Sequence, residues 1–500
     1  MQNVDAYRRS LIMGAAVGAA MQCLPRAACA QSGIQIRQEW QKFKKTPQYQ
    51  SFLRGIAAMR ANTNPSDRRS LQYWANVHVN YCPHGLPYFI AWHRGYLYYF
   101  EQQLRLAAGD TTLNLPYWDY YSYATLPAEF TDPTPGNPLY MQRLSANVYN
   151  ALSMAPFDPT VYNFQRGKTN AFETKIETMP HDPVHNLIGG IMATMQSPLD
   201  PIFYLHHANI DRLTHAWALP DGKGIPLSAY PYSPTNSDIY WAGNHTYATD
   251  LSLPRYKTLI PTWVGNDYDN DKVPTALPPL AVTAQAGLAR LPSSPRLPSN
   301  KRPAFKPFTP VQGRQIAENR RSLTGAAQLA FNEQSVSHRL NLDPRDAAEI
   351  AGVVAMRQAA PDNANRALPG KVKIVVDRAL LSDAGIKGGY FYALYLNMPA
   401  AIDSEATRTQ TFVSTLGAFQ IAGASHHGPA RLEFDVTDLL AQQKPGDFSA
   451  LTLSWVRVDG DTPLVGTAFN VDEVRLELVY EAEPIQAPPL AKPRGWYHGR

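Results

Sequence analysis

The chain has 500 residues, a net charge of +5, a pI near 8.8 and 44% hydrophobic residues. That length calls for two or more domains, and the balance of apolar and charged residues is that of a globular protein. The charge is mild and dispersed, which excludes a dedicated nucleic-acid binder, and 42 prolines point to long loops and linkers.

Residues 1–30 read as a signal peptide. Arg8-Arg9 precedes the apolar run from Leu11 to Met21, and Ala28-Cys29-Ala30 supplies a cleavage site. The arginine pair predicts the twin-arginine route, with an ordinary secretory leader as the alternative. Arg26 stands where a lipoprotein signal wants an aliphatic residue. No later apolar stretch is long enough to span a bilayer. The expectation is an exported protein, periplasmic or extracellular, with no membrane partner. Cys23 and Cys29 fall in the leader, so the mature chain keeps Cys82 alone and forms no internal disulfide.

Residues 31–275 are rich in aromatics and hold two histidine clusters. The first contains His78, Cys82, His84 and His93; the second contains His181, His185, His206 and His207. Of 13 histidines, seven lie in these two windows. Neutral imidazole is the commonest protein metal ligand, and all-nitrogen sets suit copper, zinc, iron or nickel. The simplest chemical reading is a pair of metals, each held by three imidazoles. Tyr96, Leu97, Phe100, Glu101, Leu104 and Leu106 after His93 predict an amphipathic helix. His84 is too far from His93 to share its helix face and is expected in the loop before it. His181 and His185 are four apart, so a helix puts both on one face. Asp200-Pro201 predicts a helix start, with Phe203, His207, Ile210, Asp211 and Thr214 on one side. Ligands on separate helices would converge inside a bundle.

Residues 276–310 read as a proline-rich linker. Residues 345–360 read as a short helix. Beyond about 370 the pattern turns to strands, at Lys371–Asp377, Tyr390–Leu396, Arg431–Val436, Leu451–Val456 and Val474–Tyr480. Period-two alternation between turns predicts an antiparallel β-sandwich over residues 311–500.

The segment Cys82–Glu101, containing Ala91-Trp-His-Arg94, resembles the copper A signature of tyrosinases and catechol oxidases. Asp200–Arg212, Asp-Pro-Ile-Phe-Tyr-Leu-His-His-Ala-Asn-Ile-Asp-Arg, resembles their copper B signature, and Leu115-Pro-Tyr-Trp-Asp119 also resembles the family. The resemblance covers residues 35 to 270. It implies a mainly α catalytic domain, a helix bundle holding two copper ions. His84 and His93 then match copper A ligands, and His181, His185 and His207 match copper B ligands. The third copper A ligand falls to His78, the only histidine left upstream, which is nearer to His84 than in better-known members. His206 is left as a supporting residue of the substrate pocket. Cys82 and His84 have the spacing at which several members form a thioether, a buried free thiol being the alternative.

The implied activity is oxidation of phenols and o-diphenols to o-quinones by dioxygen, so the partners are small phenols and dioxygen. Glu177 resembles the glutamate that holds a water for phenol deprotonation. Asp182, where many monophenol-active members carry Asn, would orient that water, act as base, or weaken hydroxylation. Asn186 is expected to influence substrate approach. Thr194 aligns with a gate over copper B, and its small size leaves the pocket open. Phe203 would stack near the substrate or fill core. The alternatives are a catechol or o-aminophenol oxidase without monophenol hydroxylation, a haemocyanin-like oxygen carrier, and a zinc pair on the same ligands. Arg94, Glu101, Asp119, Asp211 and Arg212 read as buried charge partners. His215 reads as a supporting or surface residue, His245, His338 and His498 have no ligand spacing, and His426-His427 reads as a polar turn.

Gly417–Gly423 and Arg431–Leu440 resemble the C-terminal domain of plant polyphenol oxidases, more weakly. Such a domain would cover the active site until cleavage, and the linker is a natural protease target. The residue that enters the site is not legible in the sequence.

Overall fold

The computed structural model describes residues 33–218, 240–279, 301–359, 370–402, 404–425 and 428–480. The leader, most of the proline-rich linker, His426-His427 and His498 lie outside the described residues.

The N-terminal region is helical. Its principal helices are α1 (Gln48–Ala61), α2 (Leu71–Tyr81), α3 (Phe89–Ala108), α4 (Phe172–Ile176), α5 (Asp182–Ile188) and α6 (Ile202–Ala218). Local chemistry sets their ends. Ser70 caps α2 by accepting from Gln72 N at 3.1 Å. Gly109 ends α3 in the left-handed region at φ 64°, donating back to Arg105 and Leu106. Asp200 opens α6, its side chain accepting from Ile202 N at 3.1 Å. A kink at Met179, with extended φ −154° and ψ 126°, separates α4 from α5.

One helix expectation needs correction. On α3, Leu106 is 54% exposed and lies off the apolar stripe, which runs on through Leu104 to Ala108. Every residue of α6 is buried, on the expected side and around it. Its charges survive burial because they are paired. Asp211 meets Arg94 at 2.6 Å and Arg37 at 3.7 Å, and Arg212 meets Asp119 at 3.3 Å; on α3, Glu101 meets Arg37 at 2.5 Å. Phe100 stacks on Tyr204 at 3.5 Å, which locks α3 against α6.

The C-terminal region is a β-sandwich. Its strands are β1 (Thr309–Ala317), β2 (Arg320–Phe331), β3 (Val336–Asn341), β4 (Lys371–Leu381), β5 (Tyr390–Leu396), β6 (Phe412–Gly417), β7 (Ala430–Asp435), β8 (Ala450–Asp459) and β9 (Phe469–Val479). Among the described residues they form two antiparallel sheets, ordered β6-β5-β8-β3 and β7-β4-β9-β2-β1. Helix α7 (Pro344–Ala359) follows β3, where a helix is expected, and α8 (Ala418–Ala424) follows β6. Strands β1 to β3 and β6 have no counterpart in the sequence reading, and β1 starts inside the segment assigned to the linker. Nearly all of β1 is exposed at a sheet edge, so it shows no alternation.

Strand β5 joins the two regions. All seven of its residues are buried, because both of its faces are covered. Tyr390, Tyr392, Leu394 and Leu396 enter the sandwich core with Leu453 and Trp455. Phe391, Ala393 and Tyr395 enter the helical core with Val456 and Val458. The sandwich is thereby fastened onto the helical region, beside α5. Among the described residues no helix is long and apolar enough to cross a membrane.

Candidate metal centre

Each histidine arrives from a different local setting. His78 lies in the last turn of α2, His84 in the loop before α3, and His93 one turn into α3. His181 ends the kinked segment before α5, His185 lies in α5, and His207 in α6. The structure gathers them into two groups, His78, Cys82, His84 and His93, and His181, His185, His206 and His207. Within each group the potential ligand atoms lie within 4.8 Å of one another. The groups adjoin: His93 stacks on His207 at 4.1 Å between ring centroids.

The ring orientations suit metal binding. Nδ1 of His78 donates to Met195 O, that of His93 to Phe89 O and that of His185 to Met192 O, each at 2.8 Å. Nδ1 of His181 donates to the Asp182 carboxylate at 2.7 Å. Fixing the proton on Nδ1 leaves the Nε2 lone pair free for a metal. The Nε2 atoms then converge: His207 Nε2 lies 3.4 Å from that of His181 and 3.3 Å from that of His185. His78 Nε2 is buried without a partner. Burial holds His84, His93, His181, His185 and His207 far below the usual imidazole range, reinforced by their neighbouring histidines, and takes His78 down to about 4. Neutral imidazoles with inward lone pairs and an orphaned buried acceptor fit two copper ions.

His206 is also fully buried, with both ring nitrogens lacking a partner and its ring stacked 5.3 Å from His181. Phe203 lies 4.2 Å from His207 and 5.2 Å from His78, as a floor beneath both groups. Cys82 Sγ sits 3.5 Å from Nε2 of both His84 and His93, and burial pushes its thiol up.

A cleft of about 2080 Å³ opens onto His78, Cys82, His84, Glu177 and Asp182. Phe203, His206 and Thr194, expected in the substrate pocket, are absent from its wall. The Thr194 hydroxyl donates to Ile191 O, and the adjacent Met195 reaches the cleft instead.

The carboxylates have partners the sequence does not reveal. Asp182 is bound to His181, and burial together with the Glu177 charge pushes its carboxyl well up. Glu177 accepts from Gly85 N at 2.8 Å and pairs with Arg166. Burial raises its pKa, and the Arg166 charge opposes that rise.

The least expected residue is Phe419, from α8 of the sandwich. Its ring stacks on His185 at 4.0 Å and 11°, and lies 5.0 Å from His84 and 5.7 Å from His181. Asn186 fastens it. The Asn186 side chain donates to Gln420 Oε1 at 2.7 Å and accepts from Phe419 N at 2.9 Å. Its backbone carbonyl accepts from Gly389 N at 2.7 Å. Phe419 lies inside the Gly417–Gly423 motif, but only the docked fold shows that this ring enters the site.

A family profile described as the common central domain of tyrosinase matches residues 48–143 and 131–219. The chain is 30% identical over 211 residues to a tyrosinase of Streptomyces glaucescens, a match covering 34% of this chain and 76% of that protein. It is 32% identical over 185 residues to a tyrosinase of Hahella sp., covering 30% of this chain and 40% of that relative's length. A solved structure of latent apple tyrosinase aligns over 92% of this chain and 99% of that one, at 18% identity and a TM-score of 0.49. The stretch matched by the profile contains both histidine groups and the helices that carry them, and the chain belongs to the tyrosinase family.

Proposed function

We propose that the protein is an exported dicopper phenol oxidase of the tyrosinase type, converting mono- and o-diphenols to o-quinones. Residues 31–275 form its catalytic unit, the proline-rich segment from 276 to the start of β1 at Thr309 a cleavable linker, and the sandwich from β1 onward a shield. The observation that carries this reading is the convergence of two groups of buried, neutral imidazoles with their Nε2 atoms turned inward. His78, His84 and His93 would hold one copper, and His181, His185 and His207 the other. When bound, copper supplies the two-electron oxidation of a phenol by dioxygen.

The protein's own groups do the rest. Asp182 holds the Nδ1 proton of His181 and so fixes the ring that would bind metal. Glu177, tied to Gly85 beside His84 and facing the cleft, is the carboxylate proposed to hold a water that takes a phenol proton. Phe419 occupies the face of His185 that a phenol ring would use, so the closed chain is latent. Cys82 and His84 are proposed to join through a thioether. A C–S bond forms at an imidazole carbon, the S–H and C–H hydrogens are lost, and two electrons with two protons reduce dioxygen to hydrogen peroxide. Loss of two hydrogens in the intact mass of copper-loaded protein tests this.

The main test is a paired assay of copper-loaded protein on 4-methylcatechol and p-cresol, before and after limited proteolysis in the linker. Quinone from both substrates after cleavage is expected. Quinone from the catechol alone selects the catechol oxidase reading. Reversible dioxygen binding with no quinone from either selects an oxygen carrier, a reading that the ring of Phe419 over His185 favours while the shield stays docked.

A further inference from the structure

Glu173, in α4, is fully buried and has no part in the chemistry described above. A buried carboxylate must have hydrogen-bond donors around it. Glu173 draws its donors from three separate places. Oε1 accepts from the Tyr240 hydroxyl at 2.7 Å and from Ile90 N at 3.4 Å, and Oε2 accepts from Arg166 N at 3.0 Å.

Ile90 is the second residue of α3, the helix that carries His93. The first amides of a helix have no partner within it and need a cap. Here the capping position is held by Tyr88, at φ 79° and with no side-chain cap. Glu173 supplies from another helix the acceptor that α3 lacks.

Glu177 follows Glu173 by one helical turn and accepts from Gly85 N. The two carboxylates therefore grip the two ends of the segment Gly85–Ile90. His84 lies just before that segment and His93 one residue short of a turn beyond it. Phe89, inside it, touches both histidine groups, at 4.8 Å from His93 and 4.5 Å from His181. Arg166 ties the grips together, with its backbone on Glu173 and its guanidinium on Glu177.

We propose that Glu173 is a positioning residue for the first metal set: with Glu177 it braces Gly85–Ile90 and holds His84 and His93 at a common point. The proposal rests on the reading of His84 and His93 as copper ligands. Glu173 touches neither copper nor substrate, so its loss weakens one metal position and spares the other.

The test loads wild type, Glu173→Ala and Glu173→Gln with copper and follows release to EDTA. Copper per chain, the cupric electron paramagnetic resonance signal and histidine labelling by diethyl pyrocarbonate are read together. Glu173→Ala is expected to lose one copper roughly tenfold faster than wild type, the usual scale for a residue that orients a ligand. A lone cupric ion then gives a resonance signal, and His84 and His93 become labelled while His185 and His207 stay protected. Glu173→Gln, which keeps an acceptor for Ile90, is expected to fall between the two. Loss of both coppers together, or loss at the wild-type rate, overturns the brace. If Glu173→Ala does not fold, Tyr240→Phe removes one donor from Glu173 and is read in the same way. Faster loss of the same copper supports the brace, and unchanged loss overturns it. A wild-type chain that takes up no copper pair overturns the ligand reading, and the brace with it.

Discussion

Phe419 puts an aromatic ring flat on His185, where a phenol is expected to lie. Burying a phenylalanine side chain contributes roughly 2–3 kcal/mol, and a good ring stack adds about 1 kcal/mol. Each 1.4 kcal/mol is about tenfold in an equilibrium. Phe419→Ala should therefore raise catechol turnover by uncleaved, copper-loaded protein by about 100- to 1000-fold. Quinone formation measures this, and the difference should vanish once the linker is cut. Equal rates before cleavage would remove Phe419 from the latency argument. Asp182 acts at the same scale but on the metal. Its carboxylate holds His181 Nδ1 at 2.7 Å, so Asp182→Ala should weaken copper binding by about 10- to 100-fold, read as copper per chain against a competing chelator.

At the scale of elements, closure depends on how tightly β6 and α8 approach α5. A Cβ added at Gly417 would sit 2.5 to 2.6 Å from the carboxamide of Asn186, and both sides are held by hydrogen bonds. Gly417→Val should push α8 outward and switch on catechol oxidation without proteolysis, leaving the helical core folded. Activity of the uncleaved variant with wild-type far-ultraviolet circular dichroism checks this; a folded but still silent variant would count against close docking at this point. The same elements show what sequence carries and what it does not. Strand β5 is legible because seven buried residues in a row make a continuous apolar run, and His181 and His185 are legible because their spacing is a helical one. Strand β1 is hidden because an exposed edge strand needs no alternation. The partners of Asn186 are hidden because they lie far away in the chain and meet it only when the sandwich docks, and Gly85, Ile90 and Tyr240 are hidden because each lies far in sequence from the glutamate it meets. Phe419 lies within the Gly417–Gly423 motif, yet a single ring carries no mark of the surface it will cover.

For the whole molecule, the buried imidazoles set the response to acid. Among the described residues, nine histidines are held below their ordinary pKa, chiefly by burial; they are His78, His84, His93, His181, His185, His206, His207, His245 and His338. His78 and His338 fall to about 4, and His206 and His245 to about 3. A base whose folded pKa is depressed is neutral in the fold and charged in the unfolded chain. Its stability contribution is complete above the unfolded value near 6.5 and is lost as the pH falls below it, by up to about 1.4 kcal/mol per pH unit for each group. Raised carboxyls act the other way over part of the same range. Glu39 and Glu173 are lifted to about 7, and Glu177 and Asp182 are also lifted, all four chiefly by burial. These four bind protons on folding and partly offset the nine imidazoles. The imidazoles win on number, so metal-free protein should hold a constant urea midpoint from pH 8 to 7 and lose it steadily from 6.5 to 5. A midpoint that stays level or rises over that lower range would mean the imidazoles reach solvent. Copper should move the loss to lower pH, because protons must then displace the metal before they can charge the rings.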